Sequence, residues 1–175
     1  MSTHGQKIAA RAETVQPASL NELSVDARAE VVDMLNRLLA EIIDVALCAR
    51  HADWNARGPS FLLVHDLLDR VGCQIDRQAD LIAGRIRALG GTAHGTARSV
   101  ATVSSFKPYP VEVADGQDHL EALAQRLGLL SAEARLSFHE CSGLLDPVTA
   151  NALVKVNAAV DQALWQVESH LVESK

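Results

Sequence analysis

Aromatic side chains are nearly missing from this chain: Phe, Tyr and Trp together make up 3% of its 175 residues. A chain of this length can bury one core without help from disulfides or metals. Here that core must come mostly from Ala, Leu and Val, which favours packed helices over sheets. Glycine and proline are scarce too, at 10 and 5 residues, so few breakers interrupt long helices. Three cysteines, Cys48, Cys73 and Cys141, are an odd number set far apart in apolar-periodic segments. That spacing excludes a clustered Cys-X-X-Cys pair and predicts buried thiols in a reducing compartment. There is no run of 18 apolar residues and no basic start followed by an apolar stretch. A soluble, cytoplasmic protein with no membrane partner is therefore expected.

Positive charge is also in short supply. The formal net charge of -6 opposes nucleic-acid binding, which depends mainly on neutralising phosphates. Within the first eleven residues Lys7 and Arg11 stand without an acidic neighbour, and Glu13 and Glu22 follow. Those two cations are the candidate DNA-touching arm, and they make a thin electrostatic footprint. A Gly-rich phosphate loop and a short internal repeat are both absent, which removes several cofactor and repeat classes.

What the chain does have is helical periodicity. Residues 1–24 are polar, contain Pro17 and lack a sustained period, so a flexible tail is expected there. Ser24 then precedes Val25-Asp26-Ala27 as cap and acidic first turn. Val31, Leu35, Leu38, Leu39, Ile42, Ile43 and Ala46 recur at three and four residues, predicting a helix from 25 into the mid-fifties. Gly58-Pro59 breaks the pattern, which resumes from Ser60 through Phe61, Val64, Leu68, Val71, Ile75, Ile82, Ile86 and Leu89 and stops at Gly90-Gly91. The segment from Thr92 to Ala114 is a crossover in which residues 97–104 can form one short helix. A third pattern includes Leu120, Leu123, Leu127, Leu130 and Phe138. After the Asp146-Pro147 cap, a fourth runs through Leu153, Val156, Val160, Leu164 and Leu171. The fold class is all-α: a four-helix bundle with a short helix in a long middle crossover, the topology of ferritin-like bundles.

The candidate chemistry lies around the first helical turnback. His65 and Asp69 are one turn apart, so both can face one ion. Asp80 shares their face but lies roughly 16 Å further along a straight helix, too far for any single coordination sphere. If Asp80 joins them, it must come from a second copy across a two-fold axis. Asp53, at the end of the preceding helix, can fold back toward the level of His65. Imidazole with carboxylates suits ferrous iron, zinc or manganese. The plainer alternative is a polar interface or solvent-facing set, with Trp54 an ordinary core or interface aromatic.

Leu35-Asn-Arg37, Asp53-Trp-Asn-Ala-Arg-Gly58, Phe61, Val64-His-Asp66, Asp69, Asp80, Leu89-Gly-Gly91, Asp118-His-Leu120, Leu164-Trp165 and Glu168-Ser169 form a series through which residues 25–172 resemble Dps. This is the miniferritin family that protects bacterial DNA during starvation and oxidative stress. The resemblance implies one Dps domain over 25–172 with tails at 1–24 and 173–175. It also implies assembly as a hollow homododecamer, and a ferroxidase activity that oxidises ferrous iron with hydrogen peroxide and stores ferric mineral inside. His65 and Asp69 match two of the family's iron ligands, Asp80 matches the partner-side aspartate, and Trp54 matches the tryptophan beside the centre, an electron donor or radical sink. Two positions depart from the pattern. Asp53 replaces a histidine, and Gly84 replaces a glutamate, with Asp76 the nearest substitute carboxylate. Asp53 can still bind iron, whereas Gly84 cannot replace a carboxylate. The departures imply altered iron affinity or slower oxidation, and the weakly basic tail implies weak DNA contact.

Overall fold

In the computed structural model, residues 21–144 and 146–171 are described. They form five helices: α1 (Val25–Asn55), α2 (Phe61–Ala88), α3 (Ala97–Val103), α4 (Gly116–Ser142) and α5 (Pro147–Glu168). α1 pairs with α2 and α4 with α5, while α1 also lies against α4 and α2 against α5. This is a four-helix bundle, with α3 in the crossover resting on α1. Lys7 and Arg11, the rest of residues 1–20 and the segment 172–175 lie outside the described residues.

Four of the five helices start where a side chain accepts an orphan backbone N–H, and α2, after Ser60, does not. The Ser24 hydroxyl accepts from Ala27 N at 3.2 Å, the Thr96 hydroxyl from Ser99 N at 3.3 Å and Asp115 from Gln117 N at 2.8 Å. Asp146 accepts from both Val148 N and Thr149 N at 3.1 Å. α4 thus begins four residues before Leu120, the first apolar residue of the sequence pattern, because Asp115 supplies a cap that periodicity does not register.

The core is the predicted aliphatic stripe. Leu35, Leu38 and Ile42 of α1, Leu68, Ile75 and Ile82 of α2, Leu123 and Leu127 of α4, and Val156 and Val160 of α5 are all buried. Burying one such side chain contributes about 1.5–3 kcal/mol. Two glycines are needed for the chain to close. Gly58 has φ 128° in the α1–α2 turn, a conformation unfavourable to any side chain. A Cβ on Gly91 would come within 2.6 Å of Val32 Cγ1, so the end of α2 can press against α1 only with hydrogen there. Just before Gly58 the turn is pinned to the start of α4, where Arg57 N donates to Ala114 O and Gly116 N to Arg57 O, both at 2.9 Å. That lock sets the level at which the end of α1 meets the start of α2.

Candidate metal centre

The locked turn brings the end of α1 over the first turns of α2, and there Asp53 meets His65. Asp53 Oδ1 lies 2.5 Å from His65 Nδ1. Both atoms are buried, yet neither is in hydrogen-bonding geometry with any partner. Two lone pairs held this close repel unless a proton or a cation sits against both: with a proton the pair is an ion pair, and without one it offers two donors to a cation. Phe61 stacks on the His65 imidazole, with ring centroids 5.5 Å apart at 18°, and fixes its tilt.

The remaining predicted residues are placed but not gathered. Asp69 follows His65 by one turn of α2 and is exposed, with the Cys73 thiol 4.0 Å from its Oδ1. Asp76 and Asp80 are exposed further along the same helix. Among the described residues no three His, Cys, Asp or Glu side chains converge as a metal cage, so Asp69 is not gathered with Asp53 and His65 within one chain. Trp54 is 74% exposed, and Leu62 and Leu63 at the start of α2 are exposed too. Gly84 is exposed, and a Cβ built there meets nothing within 4 Å. Cys73 departs from the expectation of buried thiols: it is exposed, whereas Cys48 and Cys141 are buried. Its position is on the outward face of α2, one turn from Asp69, and an apolar-periodic window does not separate that edge from the core stripe.

A second polar group escaped the sequence reading. His51 precedes Asp53 by two residues and so points about 200° away from it, to the other side of α1. Its ring meets Tyr109 edge-on at 5.6 Å and His119 at 6.1 Å. The Tyr109 hydroxyl lies 3.1 Å from His119 Nδ1 and 3.4 Å from the His119 carbonyl oxygen, with the two rings stacked at 8°. His119 is fully buried; burial, and then the neighbouring His51, hold its pKa below the ordinary imidazole value. Burial also pushes Tyr109 up, assisted by Cys48. The Cys48 thiol is pushed up to about 12 by burial and by Asp44. Nearby, Arg126 lies 3.7 Å from Asp44 and covers the Phe106 ring at 5.6 Å. The sequence signals were His51, on the opposite face of the helix end that carries Asp53, and His119 within Asp118-His-Leu120; nothing local joined them, since the partners of His51 lie 58 and 68 positions away.

Comparison with known proteins agrees with this architecture. The family described as ferritin-like domain matches residues 32–175. A protein of Agrobacterium fabrum called DNA protection during starvation protein is 37% identical over 153 residues, covering 87% of this chain and 94% of that one. The protein of the same name from Mycolicibacterium smegmatis is 30% identical, covering 85% and 81%. Among solved structures, DpsC from Streptomyces coelicolor superposes with a TM-score of 0.87 at 27% identity, covering 93% of this chain and 94% of that one. No described helix is long and apolar enough to cross a membrane.

Proposed function

This chain belongs to the Dps group of the ferritin-like family, and on that footing we propose that it oxidises ferrous iron with hydrogen peroxide and stores the ferric product inside a homododecameric cage. Iron is the substrate, taken up at a centre shared by two subunits: Asp53, His65 and Asp69 from one, and the partner subunit's Asp80. The observation that carries this reading is the buried, unbonded approach of Asp53 Oδ1 to His65 Nδ1, a carboxylate and an imidazole suited to ferrous iron. Zinc and manganese would accept the same donors; the family favours iron.

The two-fold pairing also fixes what surrounds the centre. In an antiparallel pairing of α2 that sets Asp69 beside the partner's Asp80, His65 lies beside the partner's Gly84 and Cys73 beside the partner's Asp76, because a step up one helix is a step down the other. Asp76 is then about 12 Å from the gap left at Gly84, toward the symmetry axis. It does not refill that gap, and water completes the coordination there. One iron is held well and a second poorly. The exposed apolar side chains of Trp54, Leu62 and Leu63 become part of the contact that covers the centre.

DNA contact, if made, falls to Lys7 and Arg11 and is weak at a net charge of -6, although twelve copies amplify weak contacts. A cytoplasmic location follows from the same reading. The test is anaerobic titration with ferrous iron, then peroxide, with ferric iron and shell-bound iron measured. The protein should exceed a protein-free control, and Asp53→Ala or His65→Ala should cut the rate by at least ~10-fold, the lower end of the penalty for disturbing a metal shell. Iron oxidation equal to the control sinks the proposal. A fully retained rate in both variants moves the chemistry elsewhere.

A further inference from the structure

From the Tyr109–His119 contact, 3.1 Å between the phenol oxygen and Nδ1, and from the missing side chain at Gly84, we infer that Tyr109 is an internal electron donor to the iron centre, with His119 as its proton acceptor. The inference rests on the iron reading above and adds a second redox group to it.

The need arises from electron count. Hydrogen peroxide takes two electrons, and a centre that holds one ferrous ion well supplies one. With one electron only, cleavage of the O–O bond yields one hydroxide and one hydroxyl radical. Tyr109 is the sole tyrosine of the chain. It sits across the thickness of α1 from Asp53, reached through His51, whose ring touches it. α1 with its side chains is about 10–12 Å thick, and the Tyr109 ring lies a further 5.6 Å from the His51 ring, so the electron crosses α1 and the imidazole through packed protein without a bonded path.

The step balances as follows. Ferrous iron gives one electron and becomes ferric; the Tyr109 phenol gives the second. The O–O bond breaks and both peroxide oxygens leave as hydroxide. The phenolic proton moves to His119 Nδ1, leaving a neutral tyrosyl radical beside an imidazolium. The next ferrous ion returns an electron to Tyr109, and the proton goes back from His119. Two ferrous ions are consumed per peroxide although only one is bound at a time.

The site is built for this transfer. Nδ1 accepts the phenolic hydrogen only in the tautomer whose hydrogen is on Nε2, which is buried. Burial weakens His119 as a base, but a phenol that has lost an electron is a far stronger acid than an imidazolium, so the proton still moves. Ring stacking holds the two groups in register. Trp54 is the competing donor, since it adjoins Asp53, and isotope labelling of one ring type or the other separates the two.

The test is freeze-quench electron paramagnetic resonance on the assembled protein, loaded with at most one ferrous ion per subunit and mixed with peroxide, while ferric iron is followed in parallel. A radical signal should appear that narrows when the protein is grown on ring-deuterated tyrosine. Tyr109→Phe, which keeps the ring, should lose the signal and raise the yield of spin-trapped hydroxyl radical. The isotope arm needs no variant and so does not depend on folding. Ferric iron formed without a tyrosyl signal overturns this inference and leaves the iron reading standing, as does a signal that narrows only with deuterated tryptophan. Ferric iron no greater than the control overturns both.

Discussion

Gly84 is the residue on which the chemistry of the centre turns. It lies in an exposed stretch of α2 with open space where a side chain would go, so the helix itself does not require glycine there. Glycine in a helix interior costs about 1 kcal/mol against ordinary helix formers. Gly84→Glu should therefore raise stability by about 0.5–1 kcal/mol, read as a higher urea midpoint. It should also add a second tightly bound ferrous ion per subunit in anaerobic titration, because it restores a carboxylate facing the partner's His65. With two irons supplying both electrons, the tyrosyl signal should fall. Unchanged iron stoichiometry in a correctly assembled Gly84→Glu protein would show that the gap is not part of the centre. Asp53 is the milder departure: its carboxylate reaches His65 directly, which the sequence allowed but did not establish.

At the scale of elements, the helices are held in register by a small number of polar ties over an aliphatic core. Asp146 caps α5 and binds Arg85 of α2, with Nη2 at 2.8 Å from Oδ2, and Thr149 Oγ1 donates to the same carboxylate. Burial pulls this carboxyl up, but hydrogen bonds from Thr149 and Arg85 outweigh burial and hold its pKa below 3.8. A depressed carboxylate stabilises the fold above its unfolded value and loses that contribution as the pH falls through the folded one. Asp146→Ala should cost about 3–5 kcal/mol, since it strips the cap and leaves Arg85 buried without its partner. Asp146→Asn keeps the cap acceptor and should cost less. Urea unfolding of both variants decides this, and equal losses would show that the ion pair matters more than the cap. Arg85 directly follows Gly84, so the same tie anchors the stretch of α2 that faces the centre.

For the whole molecule, the question is whether the centre belongs to one chain or two. No described cluster of one chain can hold a metal alone, and Asp69 and Asp80 are too far apart on one straight helix to share an ion. Asp69→Ala and Asp80→Ala should each be inactive when assembled separately. Mixed as unfolded chains and reassembled together, they should recover about a quarter of the wild-type ferroxidase rate, because half of random two-fold pairs are mixed and each mixed pair restores one of its two sites. Size-exclusion chromatography before the assay confirms that both variants and the mixture form the same cage. No recovery in a mixed cage would place both aspartates outside a shared centre.

The sequence by itself determined the all-α bundle, the caps at Ser24 and Asp146, the break at Gly58 and the face on which His65, Asp69 and Asp80 lie. Those features depend on local periodicity, capping chemistry and the fixed rise of a helix, which a linear pattern records. It also made the need for a second chain legible, because helix rise is a local quantity that forbids the one-chain site. Only the tertiary structure decided that Asp53 closes onto His65, since that depends on the Arg57–Gly116 lock between the α1–α2 turn and a helix 60 residues away. It alone decided that Cys73 faces outward and that His51 meets Tyr109 and His119. The physical reason is that contacts across a helix bundle arise from how helices are rotated and levelled against one another, and that rotation is fixed by the summed packing of the core rather than by any short stretch of residues.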